Sequence, residues 1–154
     1  MSSDDEKSLT TTLQLRLHAS KLPRLGRITK TPPSTFAQVL FVGGPFQKDA
    51  PPQEWGSTEI IRKFCHPQWT TVLTTDYEYG TAKYFFVRVM RHHKSHPETP
   101  SLIGSALFEI GDILASATHT KVKRLRQGGC LFAQLEFVRQ EQQEDSRILQ
   151  IQMR

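Results

Sequence analysis

The chain has 154 residues, 37% of them hydrophobic, and a formal net charge of +5. This length predicts one domain with a real hydrophobic core, and the composition excludes a wholly disordered chain. No apolar run is long enough to span a membrane, and the first residues have no apolar signal core. Cys65 and Cys130 are interpreted as free, buried thiols, and the protein is expected to be cytosolic.

The charge is unevenly distributed along the chain. No Asp or Glu occurs between Glu6 and Asp49, whereas seven Lys and Arg residues occur in that span. A one-sided field of this kind favours anionic partners such as phospholipid headgroups, inositol phosphates or nucleic acid. The alternative interpretation is a solvated basic surface that only keeps the protein in solution.

The pattern of strands begins after residues 1–10, a polar tail that is predicted to be disordered. Alternation with polar residues predicts a half-buried first strand around Leu13, Leu15 and Leu17. A long basic loop follows at residues 21–34, and then a second strand at residues 36–42. Residues 46–56, which are rich in Pro and Gly, are interpreted as another loop.

Six more strands are predicted further along the chain. They occupy residues 57–64, 70–79, 83–90, 102–108, 121–126 and 130–138, with one helical turn at residues 112–115. Lysines in residues 121–126 suit an exposed edge strand, because they discourage association between sheets. Eight short strands with almost no helix predict an all-β fold, an eight-stranded antiparallel Greek-key β-sandwich. Residues 139–145 are interpreted as a polar linker, and residues 148–153 as a ninth strand-like piece.

Several motifs of the chain resemble those of C2 domains. They are LQLRLHASKLP at 13–23, WGSTEII at 55–61, CHPQW at 65–69, FVRV at 86–89 and LIG at 102–104. A hallmark of that family is Thr-Glu-x-Ile followed by Asn-Pro-x-(Trp/Tyr), and here His66 stands where Asn is usual. The resemblance covers residues 11–138 and implies a C2-like sandwich over that range.

Within the family the chain is most similar to the first C2 domain of copines. The similarity rests on the W…TE.I pattern, on TDYEY at 75–79 and on IGDIL at 110–114. In copines a second C2 domain follows directly, and residues 146–154 resemble its opening strand. The resemblance therefore implies that residues 139–154 are a linker and the start of a second C2 domain in a longer protein.

C2 domains typically bind calcium between two end loops through several aspartates, because calcium needs about six to eight oxygen ligands. The resemblance implies that Ser34 occupies one aspartate position of the first loop. In the second loop Arg91 and His93 stand at aspartate positions, and Ser101 stands before the LIG motif. Glu98 is the only carboxylate of this second loop. We therefore expect no calcium site, and no other metal or cofactor.

Basic residues replace these acids and form a candidate membrane-binding or anion-binding surface. Its residues are Lys21, Arg24, Arg27 and Lys30 in the first loop, and Arg91, His92, His93 and Lys94 in the second. Each Lys or Arg near an anionic leaflet contributes roughly 1 kcal/mol of attraction. Leu25 and Ile28 are expected to add shallow insertion.

Other basic and histidine groups support weaker hypotheses. Arg62 and Lys63 would belong to a concave strand face that binds phosphoinositides in many C2 domains. Lys121, Lys123, Arg124 and Arg126 form a second basic group, for which solvated edge charge is the alternative. The histidines of the second loop suggest a zinc site, but no Cys or acid stands at a suitable spacing to complete it. They also suggest that the loop gains positive charge below about pH 6.5.

Together these patterns predict a non-catalytic C2 module without the calcium-binding aspartates. It would recruit a cytosolic protein to anionic phospholipids or phosphoinositides without calcium, and would be cytoplasmic and peripheral at membranes. The alternative is a protein–protein interaction (scaffold) domain whose membrane site has decayed. No catalytic set is recognisable, and nucleic acid is not an expected partner because exposed aromatics do not interleave the basic residues.

Overall fold

Alternating apolar residues build two antiparallel sheets in the computed structural model, which describes residues 9–43 and 50–138. Within these residues the elements are β1 (Thr10–Ser20), β2 (Thr35–Val42), β3 (Gln53–Ser57), β4 (Leu73–Glu78), β5 (Tyr84–Arg91), β6 (Ser101–Glu109), α1 (Ile110–Ala115), β7 (Thr120–Arg124) and β8 (Cys130–Phe137). The predicted tail before Leu9, the predicted linker and the ninth strand-like piece lie outside the described residues.

The two sheets have four strands each. One has the order β4-β1-β8-β7 and the other the order β3-β2-β5-β6, and every pair of neighbours is antiparallel. The chain crosses between the sheets after β1, β3, β4 and β6. The predicted eight-stranded antiparallel β-sandwich is therefore confirmed, and β7 lies at a sheet edge as expected.

The core lies between the inward faces of the two sheets. Every second residue of β1 is buried from Leu13 to Ala19, and the same alternation buries Phe85, Val87 and Val89 of β5. The rings of Phe85 and Phe108 stack with their centroids 5.2 Å apart. Because each large apolar side chain contributes roughly 1.5–3 kcal/mol when fully buried, this alternation fixes which face of each strand points inward.

The third strand differs from its prediction. It occupies Gln53–Ser57, of which residues 53–56 were predicted as loop, whereas residues 58–64 of the predicted strand are irregular. The ladder stops at Thr58, because the Thr58 hydroxyl accepts a hydrogen bond from the Ala37 backbone N–H at 2.8 Å. Further along, Lys63 has a φ of +45°, a left-handed conformation that a strand cannot accommodate.

Two smaller expectations also need correction. β4 starts at Leu73 rather than at residue 70, because Thr70 and Thr71 bind the Glu59 side chain instead of a neighbouring strand. Cys65 and Cys130 are free, as expected, but both are half-buried rather than buried.

Four loops meet at one end of the sandwich, which we call the loop end. They are loop A (residues 21–34), loop B (58–72), loop C (92–100) and loop D (125–129), and they join strands that finish or start there. The other end, which contains the 79–83 connection between β4 and β5, α1 and residues 116–119, is called the opposite end. This arrangement brings together segments that are far apart in sequence.

Candidate functional site

Ser34 is the point at which loops A, B and C join. Its backbone carbonyl oxygen accepts a hydrogen bond from the His92 N–H at 2.7 Å. Its hydroxyl oxygen accepts one from the Lys63 N–H at 3.1 Å. Next to it, Thr35 and Ile61 exchange two backbone hydrogen bonds of 2.9 Å each. Hydrogen bonds therefore hold the three loops in one fixed arrangement.

Loop A contains a small hairpin whose outermost residue is apolar. Leu25 and Thr31 exchange backbone hydrogen bonds of 2.9 and 3.1 Å, and Gly26 has a φ of +124°. A Cβ atom at Gly26 would lie 2.3 Å from the Thr29 carbonyl oxygen, so this turn requires glycine. Ile28 is 96% exposed at the outer end of the hairpin, whereas Leu25 is half-buried. Of the two expected insertion residues, only Ile28 projects freely.

The first part of loop A is held by the histidine that replaces the usual asparagine. Lys21 has a φ of +56°, and its backbone N–H donates to Nδ1 of His66 at 3.0 Å. The His66 ring also packs edge-on against Phe64, with centroids 5.7 Å apart. His66 therefore fixes where loop A leaves β1.

Loop B is held by a carboxylate. Glu59 accepts hydrogen bonds from the backbone N–H and the hydroxyl of both Thr70 and Thr71. Burial raises the pKa of Glu59, but these four hydrogen bonds outweigh that effect and lower it to about 2. The Thr-Glu of the TEII motif thus has a structural role, since Thr58 ends a strand and Glu59 holds loop B against residues 70–71.

Loop C is organised by two histidines. His93 Nε2 lies 2.8 Å from the Ser101 hydroxyl oxygen, and the His93 ring stacks on the His96 ring with centroids 4.7 Å apart. Burial lowers the pKa of His93, and the positive charges of His96, Arg91 and His92 lower it further. The neutral form of the His93 ring is therefore favoured relative to an ordinary histidine.

Loops A, B and C enclose a small basic cavity of about 280 Å³, which we call the Ser34 pocket. The described residues that line it are Ser34, Arg62, Lys63, His92 and Lys94. Arg62 and Lys63 were expected on a concave strand face, and that expectation is wrong because they lie in loop B rather than in a strand. The pattern of the sequence could not reveal this, since it depends on the early end of β3.

A second basic cavity, of about 580 Å³, lies between the start of loop A and loop D. Its described lining includes Lys21, Arg124 and Arg126. The second basic group predicted from the sequence, residues 121–126, is therefore divided between two places. Lys121 Nζ lies 3.5 Å from Asp112 and Lys123 Nζ lies 6.0 Å from the centroid of the Phe108 ring, both away from this cavity. Only the two arginines of that group reach the loop end.

The loop end collects most of the positive charge of the described residues. Eight of their fifteen Lys and Arg residues lie in loops A to D and two more end the strands that lead into these loops, whereas only two of their eight Asp and Glu residues, Glu59 and Glu98, lie there. The ten are Lys21, Arg24, Arg27, Lys30, Arg62, Lys63, Arg91, Lys94, Arg124 and Arg126. The arrangement can attract a polyanion or an anionic surface.

The sequence-predicted residues of the two basic loops fall into three places. His92 and Lys94 meet loop B at the Ser34 pocket, and Lys21 faces loop D. Arg24, Arg27 and Lys30 are exposed on and beside the loop A hairpin. Arg91 ends β5 and is half-buried between its partners Thr35 and Ser101, and His93 is bound to Ser101.

The four positions equated with calcium ligands are occupied by residues that bind one another or the loop backbone. Ser34 binds loops B and C, His93 binds Ser101, and Arg91 pairs with Ser101 in the sheet. Within residues 9–43 and 50–138, no group of three His, Cys, Asp or Glu side chains is arranged to hold a metal ion. Helices able to cross a membrane are likewise not found in this part of the chain.

Comparison with known proteins rests on solved structures, since no family model and no curated protein sequence matches the chain. A structure of a C2 domain is 16% identical with a TM-score of 0.58, and the match covers 84% of this chain and 99% of that one. A C2 domain of plant Extended Synaptotagmin 1 is 12% identical with a TM-score of 0.60, over 85% of this chain and 95% of that one.

A third structure contains two C2 domains of Extended-Synaptotagmin 2 with calcium bound. It is 12% identical with a TM-score of 0.62, and the match covers 85% of this chain and 47% of that one, so this chain spans about half of it. Identities this low establish the fold and leave function to the site itself. With two four-stranded antiparallel sheets in this order, the described chain has the β-sandwich fold of C2 domains.

Proposed function

We propose that this chain is a non-catalytic C2 module that recruits the protein to anionic phospholipid membranes without calcium. The binding surface is the loop end. The observation on which the proposal depends is the concentration of ten of the fifteen described Lys and Arg residues at this end, beside only two acids. The protein would accordingly be cytoplasmic and peripheral at membranes.

Electrostatic attraction supplies the main part of the binding in this proposal. Arg24, Arg27 and Lys30 are exposed, and they surround the hairpin that would approach the leaflet first. Each contributes roughly 1 kcal/mol near an anionic surface, an attraction that salt weakens. Four or five such residues support a weak and salt-sensitive attachment.

Two exposed apolar side chains add to this attraction. Ile28 is 96% exposed and Phe64 is 49% exposed, and both belong to loops of the same end. Burying such side chains at the level of the headgroups removes apolar surface from water, which favours binding. The combination of a basic surface with projecting apolar residues favours a membrane over a soluble polyanion.

Independence from calcium is supported by the residues at the equated ligand positions. Ser34, His93 and Ser101 already use their side chains in hydrogen bonds with the protein, and Arg91 adds positive charge beside them. Such a site offers too few carboxylate oxygens for calcium and repels the ion. The fixed cations would take the place of the bound metal in attracting the membrane.

Vesicle co-sedimentation tests the proposal. We expect the protein to bind vesicles of phosphatidylcholine with phosphatidylserine equally well in calcium and in a calcium chelator, and to be released as the salt concentration rises. Binding only in the presence of calcium would contradict the proposal. No binding under any condition would favour the alternative, a protein–protein interaction domain with a decayed membrane site.

Two narrower proposals rest on the sequence motifs. One is that the chain is related to the first C2 domain of copines, and the other is that residues 139–154 are a linker and the start of a second C2 domain. The single-domain boundary at residues 11–138 belongs to the same proposal. The sequence of the gene beyond the codon for Arg154 tests both, since a second C2 domain would follow directly.

A further inference from the structure

We propose that the Ser34 pocket is a binding site for a phosphomonoester group, either on a lipid headgroup or on a soluble phosphorylated molecule. This inference rests on the proposed function, because the same loops would face the membrane. It goes further by assigning one chemical group to one cavity. General attraction by the loop end treats all anionic lipids alike, whereas a pocket would distinguish among them.

The chemistry of the lining favours an anion with several oxygens. Arg62, Lys63 and Lys94 supply three positively charged donors, and His92 supplies a fourth polar side chain. None of the described lining residues is an acid, and the nearest carboxylate of loop B, Glu59, is bound to Thr70 and Thr71. Arginine suits phosphate especially, because its planar fork can bind two oxygens at once.

Ser34 contributes a neutral donor to the same cavity. Its hydroxyl oxygen already accepts the Lys63 N–H, so its own hydrogen is left to donate to a ligand oxygen. Aspartate, which the resemblance to C2 domains places here, would have no such hydrogen and would repel an anion. The exchange of aspartate for serine therefore changes this position from one that attracts cations to one that accepts anions.

The walls of the pocket are fixed before any ligand arrives. Ser34 binds both loop B and loop C through its side chain and its carbonyl oxygen, and the Phe64 N–H donates to the Pro33 carbonyl oxygen at 3.1 Å. The left-handed conformation of Lys63 turns loop B at this point. A preorganised site binds more tightly, since less conformational entropy is lost on binding.

Charge and size together favour a monoester over a diester. A phosphomonoester has three terminal oxygens and a second pKa of about 6, so it is mostly a dianion at neutral pH. A phosphodiester presents two free oxygens and a single charge to the same donors. The cavity of about 280 Å³ is at the lower end of the size of ligand sites and suits a headgroup rather than a large organic molecule.

A soluble probe tests the pocket without a membrane. We expect glycerol 3-phosphate to shift the backbone amide NMR signals of Ser34, Lys63 and His92 in a saturable way, and glycerophosphocholine to bind at least tenfold more weakly. Equal binding of the two compounds, or shifts spread evenly over all basic residues, would overturn the inference.

Matched variants locate the binding. Replacing Arg62 and Lys94 with Gln should weaken glycerol 3-phosphate binding at least tenfold, whereas the same change at Arg124 and Arg126 removes equal charge outside the pocket and should leave it within twofold. Ser34→Asp retains an acceptor for the Lys63 N–H, so the loops stay joined, and it should abolish binding. If the Arg124 and Arg126 variant loses as much affinity as the pocket variant, the inference is wrong.

Vesicles distinguish this inference from the proposed function. Phosphatidylcholine vesicles containing phosphatidic acid and others containing phosphatidylserine are compared at equal zeta potential. We expect at least threefold tighter binding to phosphatidic acid, and loss of that preference in the Arg62 and Lys94 variant. Equal binding to both would overturn the pocket but leave membrane recruitment intact. Binding of glycerol 3-phosphate without binding to either vesicle would contradict membrane recruitment and identify a soluble ligand.

Discussion

The two ends of the sandwich use their charged residues differently. At the opposite end, Lys83 Nζ donates to the Thr75 hydroxyl at 2.9 Å and to the Asp76 carbonyl oxygen at 2.8 Å. Lys121 of the neighbouring β7 lies 3.5 Å from Asp112 of α1. Positive charge there is matched by protein acceptors, and it stabilises the packing of the 79–83 connection and of the helix.

At the loop end the relation is reversed, because one of the two acids is bound within loop B and most of the cations are exposed. Glu59 is held by Thr70 and Thr71, whereas Arg24, Lys30 and eight further cations have few acids near them. Positive charge in this fold therefore has a structural role at the opposite end and is available for a ligand at the loop end. Variants at each end test this division.

The largest expected effect is on membrane binding when exposed charge is removed from loop A. Replacing Arg24, Arg27 and Lys30 with Gln should weaken binding to phosphatidylserine vesicles roughly hundredfold, since each cation contributes about 1 kcal/mol. The thermal midpoint should hardly change, because all three side chains are exposed. Co-sedimentation and differential scanning fluorimetry measure the two quantities.

A control variant removes the same charge elsewhere in the sandwich. Replacing Arg16, Arg88 and Lys121 with Gln should leave vesicle binding within about threefold, because these residues do not belong to the loop end. Equal losses in the two triple variants would mean that net charge alone attracts the membrane. The division between the two ends would then have no functional meaning.

The sequence predicts the strands correctly where buried apolar residues alternate with more exposed ones. Leu13 to Ala19, Phe85 to Val89 and Leu131 to Leu135 alternate inside and outside, and all three segments are strands as predicted. β3 was misplaced because of its five residues only Trp55 is a large apolar residue, while the TEII segment after it mimics a strand. Hydrogen bonds of Thr58 and Glu59 to distant residues decide the outcome, and a local pattern contains no such information.

The same limit applies to the candidate site. Its basic loops could be identified, because a run of residues without acids is visible in the sequence. The proximity of Arg62 and Lys63 to His92 and Lys94 could not, since it depends on the backbone of Ser34 binding two other loops. Sequence therefore indicated the sign of the charge, and the fold determined which charges share a cavity.

The next effect in size concerns stability and the bound acid of loop B. The folded-state pKa of Glu59 is about 2, below its ordinary value of 4.5, so its contribution to stability is complete above pH 4.5 and is lost as the pH falls toward 2. Because this carboxylate is partly exposed, we allow for solvent screening and expect about 1–2 kcal/mol. Glu59→Gln should lower the free energy of unfolding by that amount at pH 7 and flatten its decline in acid.

Urea denaturation at several pH values measures this effect. Glu98→Gln is the matched control, since Glu98 is an exposed carboxylate of loop C in the same basic field. Its free energy of unfolding should change by less than about 0.5 kcal/mol. A Glu59→Gln variant as stable as the unchanged protein at both pH 7 and pH 3 would show that the four hydrogen bonds do not hold loop B.

A smaller loss of stability is expected at the opposite end. In the unchanged protein Lys83 Nζ lies 4.7 Å from the centroid of the Phe41 ring. Lys83→Met keeps an aliphatic side chain near this ring but removes the hydrogen-bond donor to Thr75 and Asp76. We expect a loss of about 1 kcal/mol in the free energy of unfolding, with vesicle binding unchanged. Lys121→Met should cost less than about 0.5 kcal/mol, because its ion pair with Asp112 is exposed. Weaker vesicle binding by the Lys83 variant would contradict the structural role of that charge.

The smallest effect concerns the histidines of loop C, for which the sequence suggested a gain of charge below about pH 6.5. Burial, and then the charges of His96, Arg91 and His92, lower the pKa of His93 below its ordinary value of 6.5. The neutral ring is therefore favoured in the folded protein, and protonation of His93 as the pH falls reduces stability rather than increasing it. Mild acidification from neutral pH should thus add less charge at His93 than at a histidine with an ordinary pKa.

Removing one neighbour tests this electrostatic account directly. His96→Gln eliminates a like charge beside the ring, so the pKa of His93 should rise toward its ordinary value, while burial keeps it from returning fully. An NMR titration of the His93 ring protons in the variant and in the unchanged protein measures the change. An unchanged pKa in the His96 variant would mean that burial and the bond to Ser101, rather than charge at the loop end, determine the protonation of His93.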